Sequence, residues 1–210
     1  MKVLVIGANG RVGRQLTAKL LACGHEVFAG ARKVNEVFSP SVYFERIDLL
    51  DDVDKLVDII KGKDAVYFVS GSRGKSLLQI DLHGAVKTMQ AAEKAGVKRY
   101  IMLSSVFALS PERWNESYLK DITEYNIAKH YADLYLINNT KLEYTILQPG
   151  ALKEGEGTGQ ISVNVESPGD NTIANVVTTL AMLLDYDNTI GKVITMHDGT
   201  TSITEALQKF

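Results

Sequence analysis

The sequence holds a single cysteine, Cys23, so it can close no internal disulfide and build no cysteine metal cluster. That usage gives no sign of an oxidising compartment. It also lacks a surplus of charge: 23 Lys and Arg face 25 Asp and Glu, for a formal net charge of −2. With a pI near 6.1, no broad field gathers nucleic acid or anionic lipid. Long apolar runs are missing too. Residues 171–184, the longest stretch without an acidic or basic side chain, include several polar residues. They fall short of the roughly 18 apolar residues that a membrane-spanning helix needs. The apolar opening stops at Gly7, too soon for a signal-peptide core. No repeat, low-complexity tract or charge block interrupts the chain. His25, His83, His130 and His197 are scattered, with no pair at metal-ligand spacing, so no metal site is expected. These absences predict a soluble, cytoplasmic protein with no nucleic-acid or membrane partner.

What remains is ordinary globular material: 210 residues, 45% hydrophobic and 23% charged. A chain of this size buries roughly 70% of its unfolded surface and needs no staple. One domain spanning residues 1–210 is expected, with a small substrate-side elaboration around 151–170, where the composition shifts.

Apolar patterning predicts β-strands over Lys2–Ile6, Glu26–Ala31, Val42–Ile47, Ala65–Val69, Arg99–Leu103, Glu143–Leu147 and Lys192–Met196. Helical spacing predicts helices over Arg11–Ala22, Asp51–Ile60, Leu77–Ala95, Ile122–Asn138 and Ile173–Leu184. Asp121 and Glu124 have capping-box spacing at the start of the fourth helix. Ala151–Gly159 reads as a polar surface loop, and Cys23 as a small buried residue at a helix end. Strands alternating with helices demand parallel pairing through right-handed crossovers. The fold class is therefore α/β, a Rossmann-type doubly wound parallel sheet.

Gly7-Ala8-Asn9-Gly10-Arg11-Val12-Gly13 spells G-x-x-G-x-x-G between the first strand and the first helix. There one glycine permits a tight turn, the next lets backbone approach a pyrophosphate, and the third lets helix pack on strand. The amides and helix dipole then hold phosphate. NAD readers place an acid at the end of the second strand. Here that end reads Gly30-Ala31-Arg32-Lys33. Arg32, helped by Arg11, suits a 2′-phosphate, so NADP is expected rather than NAD. Asp48-Leu49 follows the third strand, where Asp48 suits either an adenine contact or a helix cap.

Tyr125-Asn126-Ile127-Ala128-Lys129 is Y-x-x-x-K, which on a helix puts phenol and ammonium on one face. A neighbouring ammonium lowers a phenol pKa and favours proton exchange with an alcohol or carbonyl. Ser104 and Ser105 end the fifth strand, at the edge where open α/β sheets bind ligands. A hydroxyl there suits a substrate oxygen. Arg73 and Lys75, after the fourth strand, suit a pyrophosphate or acidic substrate as well as they suit solvent. Trp114 and Tyr118 suit either a substrate pocket or a cover over the core.

The chain resembles the short-chain dehydrogenase/reductase superfamily, in the atypical, small NAD(P)-binding branch with NmrA-like, biliverdin/flavin reductase-like and small epimerase-like proteins. The carriers are Gly7–Gly13, Ser70-Gly71-Ser72, Gly96–Ser105, Tyr125–Lys129 and Tyr144–Gly150, across essentially the whole chain. The resemblance implies that Tyr125 donates or accepts the proton, and that Lys129 binds the nicotinamide ribose and tunes Tyr125. It also implies that Ser105 or Ser104 orients the substrate oxygen and that Pro149 and Gly150 back the nicotinamide. Asp81 falls where active branches hold Asn, and Gln148 where relatives commonly hold Arg. The function so implied is NADP-dependent hydride transfer to a small carbonyl, quinone or flavin-like acceptor. One alternative is a non-catalytic NADP-binding redox sensor with a protein partner. A sugar-nucleotide epimerase or dehydratase is the other, set back by the sixty or so residues that follow Gly150.

Overall fold

The structure, a computed structural model, describes residues 1–34 and 38–210. Its opening is a βαβ unit: β1 (Lys2–Ile6), α1 (Arg11–Ala22) and β2 (Glu26–Ala31). β1 is buried from Val3 onward, as a strand covered on both faces must be. α1 ends where Gly24 takes φ +84°, a backbone that side chains resist. There follow β3 (Tyr43–Arg46), α2 (Val53–Ile60) and β4 (Ala65–Phe68). Asp52 caps α2, accepting from the Lys55 amide at 3.0 Å. Next come α3 (Ala85–Ala95), β5 (Arg99–Leu103), α4 (Thr123–Asn139) and β6 (Glu143–Pro149). The last part holds β7 (Ala151–Lys153), β8 (Gln160–Val163), β9 (Asp170–Thr172) and α5 (Ile173–Met182). It closes with β10 (Lys192–Asp198), β11 (Thr201–Ser202) and α6 (Ile203–Leu207).

Nine strands form one sheet in the order β3-β2-β1-β4-β5-β6-β10-β8-β11. From β3 to β10 every pair is parallel, with β1 in register Val3 to Val27 on one side and Val3 to Ala65 on the other. One core lies under α1, α5 and α6, around Leu16, Leu20, Val176, Leu180 and Leu207. The other lies under α2, α3 and α4, around Leu56, Ile60, Met89, Ala132 and Leu136. Strand order reverses between β1 and β4, and at such a switch point the diverging loops leave a crevice. At the outer edge Tyr43 stacks on Phe28 at 5.1 Å, with the Lys63 ammonium 4.0 Å above the Phe28 ring.

Several expectations need correction. The sheet is not wholly parallel: β8 pairs antiparallel with both β10 and β11. No helix lies between β6 and β8 or between β10 and β11, so no crossover forces these short strands parallel. The expected loop Ala151–Gly159 begins with β7, which pairs with β9 as a separate two-stranded sheet. The expected long helix is α-helical only in α3, because Leu77–Gly84 winds as a π-helix. There the Gly84 backbone lies against the side chain of Leu49, where an added Cβ would come within 3.1 Å of the Leu49 Cβ. Asp121 caps nothing, since Ser117–Ile122 forms a 3₁₀ turn that runs directly into α4. Cys23 is exposed, because the helix-ending turn carries it away from the sheet.

Candidate functional site

The crevice at the switch point is a cleft of about 800 Å³. Its floor is the carboxyl end of β1, with Ile6, Gly7, Asn9 and Gly10. Gly30 to Lys33 and Ile47 to Leu50 line one side, and Val69 to Arg73 with Lys75, Ser76 and Ile80 line the other. Gly7 adopts φ +94°, and a Cβ on it would stand 2.6 Å from the Ser70 Cα. A Cβ on Gly13 would overlap the Gly7 carbonyl oxygen. Both glycines are thus dictated by close approach of backbone to backbone. Gly10 caps α1 with no side-chain acceptor, so the first-turn amides and the positive end of the dipole are left for an anion.

Asn9 donates from Nδ2 to the Lys33 carbonyl at 2.9 Å, while its Oδ1 is buried and has no partner among the described residues. An orphan acceptor of that kind fits a ligand hydroxyl. The lining residues include four cations, Arg32, Lys33, Arg73 and Lys75, against one carboxylate, Asp48. Asp48 Oδ1 accepts from the Leu50 amide at 3.0 Å, which fixes the turn after β3. A dinucleotide with several phosphate charges fits this apolar floor, glycine cradle and cationic rim. Arg11 does not join Arg32: it pairs with Glu154 at 3.2 Å, away from the cleft lining. Its position on the first helical residue turns it toward the 151–159 segment.

A second group of polar side chains lies at the ends of β5 and β6 under α4. Lys129 is 1% exposed and donates from Nζ to the Leu103 carbonyl at 2.8 Å. Its ammonium stands 5.8 Å from the centre of the Tyr125 ring, so the four-residue spacing does bring the two together. Burial lowers the Lys129 pKa, while Asp81 and Asp133 work to raise it. The Tyr125 phenol is pushed above its usual range, chiefly by desolvation and then by the carboxylates of Asp81 and Asp133. The expectation that Lys129 lowers it is therefore reversed, because burial and two negative charges outweigh one positive charge.

Neither serine is idle. Ser104 Oγ donates to Asp133 Oδ2 at 2.6 Å, and Ser105 Oγ donates to Asn126 Oδ1 at 3.1 Å. Gln148 Nε2 donates to the same Asp133 oxygen at 2.9 Å. Asp81, fully buried on the π-helical segment, accepts from the Ser72 amide at 3.1 Å and so fastens the loop after β4. Pro149 accepts from the Val106 amide, and Gly150 packs so tightly on Pro168 and Gly169 that a Cβ would overlap their carbonyl oxygens. Trp114 donates to the Phe107 carbonyl at 3.0 Å, and Tyr118 packs on the small cluster of Val106, Phe107 and Leu119. Tyr118 thus covers that satellite core, while Trp114 meets the His130 ring edge-on at 5.5 Å. Phe107 itself is held at φ +58°.

The cleft thus brings together Gly7, Asn9, Gly10, Arg32, Asp48, Leu49, Ser70, Gly71 and Ser72. Val12 and Gly13 lie buried in the first turn of α1 behind it. Tyr125, Lys129, Ser104, Ser105, Asp81, Pro149 and Gly150 lie outside its lining, with Asp81 joined to it through Ser72. Sequence reading missed Asp133 and Asn126. Both sit on the buried face of α4, Asp133 four residues after Lys129, where an interior carboxylate is itself a signal.

A family model described as NAD(P)H-binding matches residues 7–185. The chain belongs to this NAD(P)H-binding family. A Bacillus subtilis member described as an uncharacterized sugar epimerase, YhfK, is 35% identical over 218 residues, covering all of both chains. The crystal structure of the oxidoreductase ylbE from Lactococcus lactis is 48% identical, with a TM-score of 0.97 over 100% of this chain and 96% of that one. A candidate NAD-dependent epimerase/dehydratase from Bacillus halodurans is 35% identical, with a TM-score of 0.88 over 100% of both chains. The NAD(P)H-binding chain thus has an oxidoreductase/epimerase-like fold. Among the described residues no helix is long and apolar enough to cross a membrane.

Proposed function

We propose that the protein is an NADP-dependent oxidoreductase that reduces a small carbonyl, quinone or flavin-like acceptor. The observation that carries this is the cleft: an uncapped helix start over two glycines, with Arg32 and Lys33 at the end of β2 where an acid would select NAD. Arg32 would pair with the 2′-phosphate, and the α1 amides with the pyrophosphate. Lys129 would hold the nicotinamide ribose, with Pro149 and Gly150 behind the ring. When bound, the dihydronicotinamide supplies a hydride.

The chain's own part is to hold an acceptor oxygen and to deliver a proton to it. Ser104 and Ser105 stand at the carboxyl end of β5 for the first task. Tyr125 serves the second: its raised pKa keeps the phenol protonated at neutral pH, so it can give a proton to an oxygen that has become an alkoxide. A phenol that holds its proton this firmly is a weak acid, so it gives the proton up only once the acceptor oxygen carries the charge of an alkoxide, a stronger base. Lys129, a cation beside that phenol, stabilises negative charge on the oxygen as it develops.

The experiment is NADPH consumption against a panel of carbonyls, quinones and flavins, with Arg32→Glu and Tyr125→Phe as controls. Equal affinity for NADH and NADPH, unchanged in Arg32→Glu, would rule out the cofactor assignment. The inward hydrogen bonds of Ser104 and Ser105 favour a second reading, a non-catalytic NADP sensor with a protein partner. It predicts tight NADPH binding, no turnover and a partner released by NADPH. The names carried by the Bacillus relatives point instead to epimerisation, which the same panel extended to sugar nucleotides would reveal as cofactor-dependent isomerisation without net NADPH loss.

A further inference from the structure

Asp133 is fully buried, and its two oxygens are treated unequally. Oδ2 takes both available donors, Ser104 Oγ at 2.6 Å from β5 and Gln148 Nε2 at 2.9 Å from β6. Oδ1 is buried with no partner among the described residues. The charged and titratable groups that face it are Lys129 and Tyr125 on α4, the same pair that Asp81 of the π-helical segment acts on; its partners from the sheet, Ser104 and Gln148, are neutral. The Lys129 ammonium is bonded to the Leu103 carbonyl, and no ion pair to Asp133 is formed. The Asp133 carboxyl group is thus buried near one ammonium with which it forms no ion pair, and its burial favours the protonated form.

We propose that Asp133 is a positioning residue that sets the direction of the Ser104 hydrogen bond by gaining or losing a proton. As a carboxylate, Asp133 consumes the Ser104 hydroxyl hydrogen, and Ser104 can only accept from a ligand. As a carboxylic acid with the proton on Oδ2, Asp133 donates to Ser104 Oγ instead. The Ser104 hydrogen is then released to turn toward an acceptor oxygen, and Oδ2 keeps a lone pair for Gln148. The proton comes from solvent and returns to it, so no other bond is made or broken. This deepens the reductase reading: Ser104 is a donor to a carbonyl oxygen only while Asp133 is protonated. Burial raises the Asp133 pKa to about 6, so the change falls close to neutral pH.

The test is a ¹³C NMR titration of the Asp carboxyl groups in the cofactor-free protein, which stands even if the cofactor reading fails. A carboxyl resonance absent from Asp133→Asn should titrate near 6. Ser104→Ala and Gln148→Met each remove a donor to the carboxylate, so each should move the midpoint upward. A midpoint at the ordinary carboxylate value, or one that neither substitution moves, overturns the proposal. In parallel, kcat/KM for NADPH-dependent reduction should fall about tenfold per pH unit above the Asp133 midpoint, and Asp133→Asn should lose that limb. A limb retained in Asp133→Asn also overturns it. Absence of any turnover beside a normal NMR result would count against the reductase reading alone.

Discussion

Arg32 and Lys33 are exposed side chains at the rim of a cleft that otherwise presents glycine backbone and an apolar floor. Replacing Arg32 by Glu exchanges attraction for repulsion at one phosphate. NADPH affinity should fall about tenfold or more, the equivalent of one charge-assisted hydrogen bond, with NADH spared. Calorimetry with both cofactors reads this directly. Tyr125→Phe removes only a hydroxyl, so turnover should drop about 100-fold with NADPH affinity retained, as steady-state kinetics and calorimetry together would show. Asp133 makes its own prediction about stability. Its pKa is raised from 3.8 to about 6, so the folded state holds this proton more tightly than the unfolded chain. The stability it contributes is complete below pH 4 and is lost as pH rises through 6, by about 3 kcal/mol. Urea unfolding from pH 4 to 7 should show that decline in the wild type, lessened by this amount in Asp133→Asn.

The α1 helix can stay close to β1 only because Gly13 has no side chain. In Gly13→Ala the Cβ would overlap the Gly7 carbonyl oxygen, so the helix start must shift. Stability should fall by about 1–3 kcal/mol, and NADPH binding should weaken with it. A variant that melts and binds like the wild type would show that the close packing is dispensable. At this scale the sequence was legible where one force dominated. β1, α1, β2 and β5 end at the residues expected, since apolar runs or stripes stop against a glycine, a charged residue or a serine pair. It was illegible where tertiary contacts chose among local options. Nothing in Leu77–Gly84 distinguishes a π-helix from an α-helix, and β9 and β11 are three and two residues long, too short to show alternation. In the site, the glycine loop and the Tyr125–Lys129 pair could be read from spacing. The partners of Ser104 and Ser105 could not, because Asp133 and Asn126 reach them across the layer between α4 and β5.

On the scale of the whole molecule, the cleft divides β2 and β3 from β4 to β6, and a ligand filling it ties the two halves of the sheet together. NADPH at 100 times its dissociation constant should add about 2.7 kcal/mol to stability. For a chain of 210 residues that is roughly 5–10 °C in Tm, readable by calorimetry. The outer strands carry a different consequence. β3 is four residues long and β11 only two, and beside β3 the Lys63 ammonium lies over Phe28 and pairs with Glu45 at 3.2 Å. Neither margin offers a long row of vacant amides and carbonyls on which a foreign ribbon could template itself. Concentrated solutions should therefore resist fibril seeding, and crowding should not drive these molecules to join margin to margin.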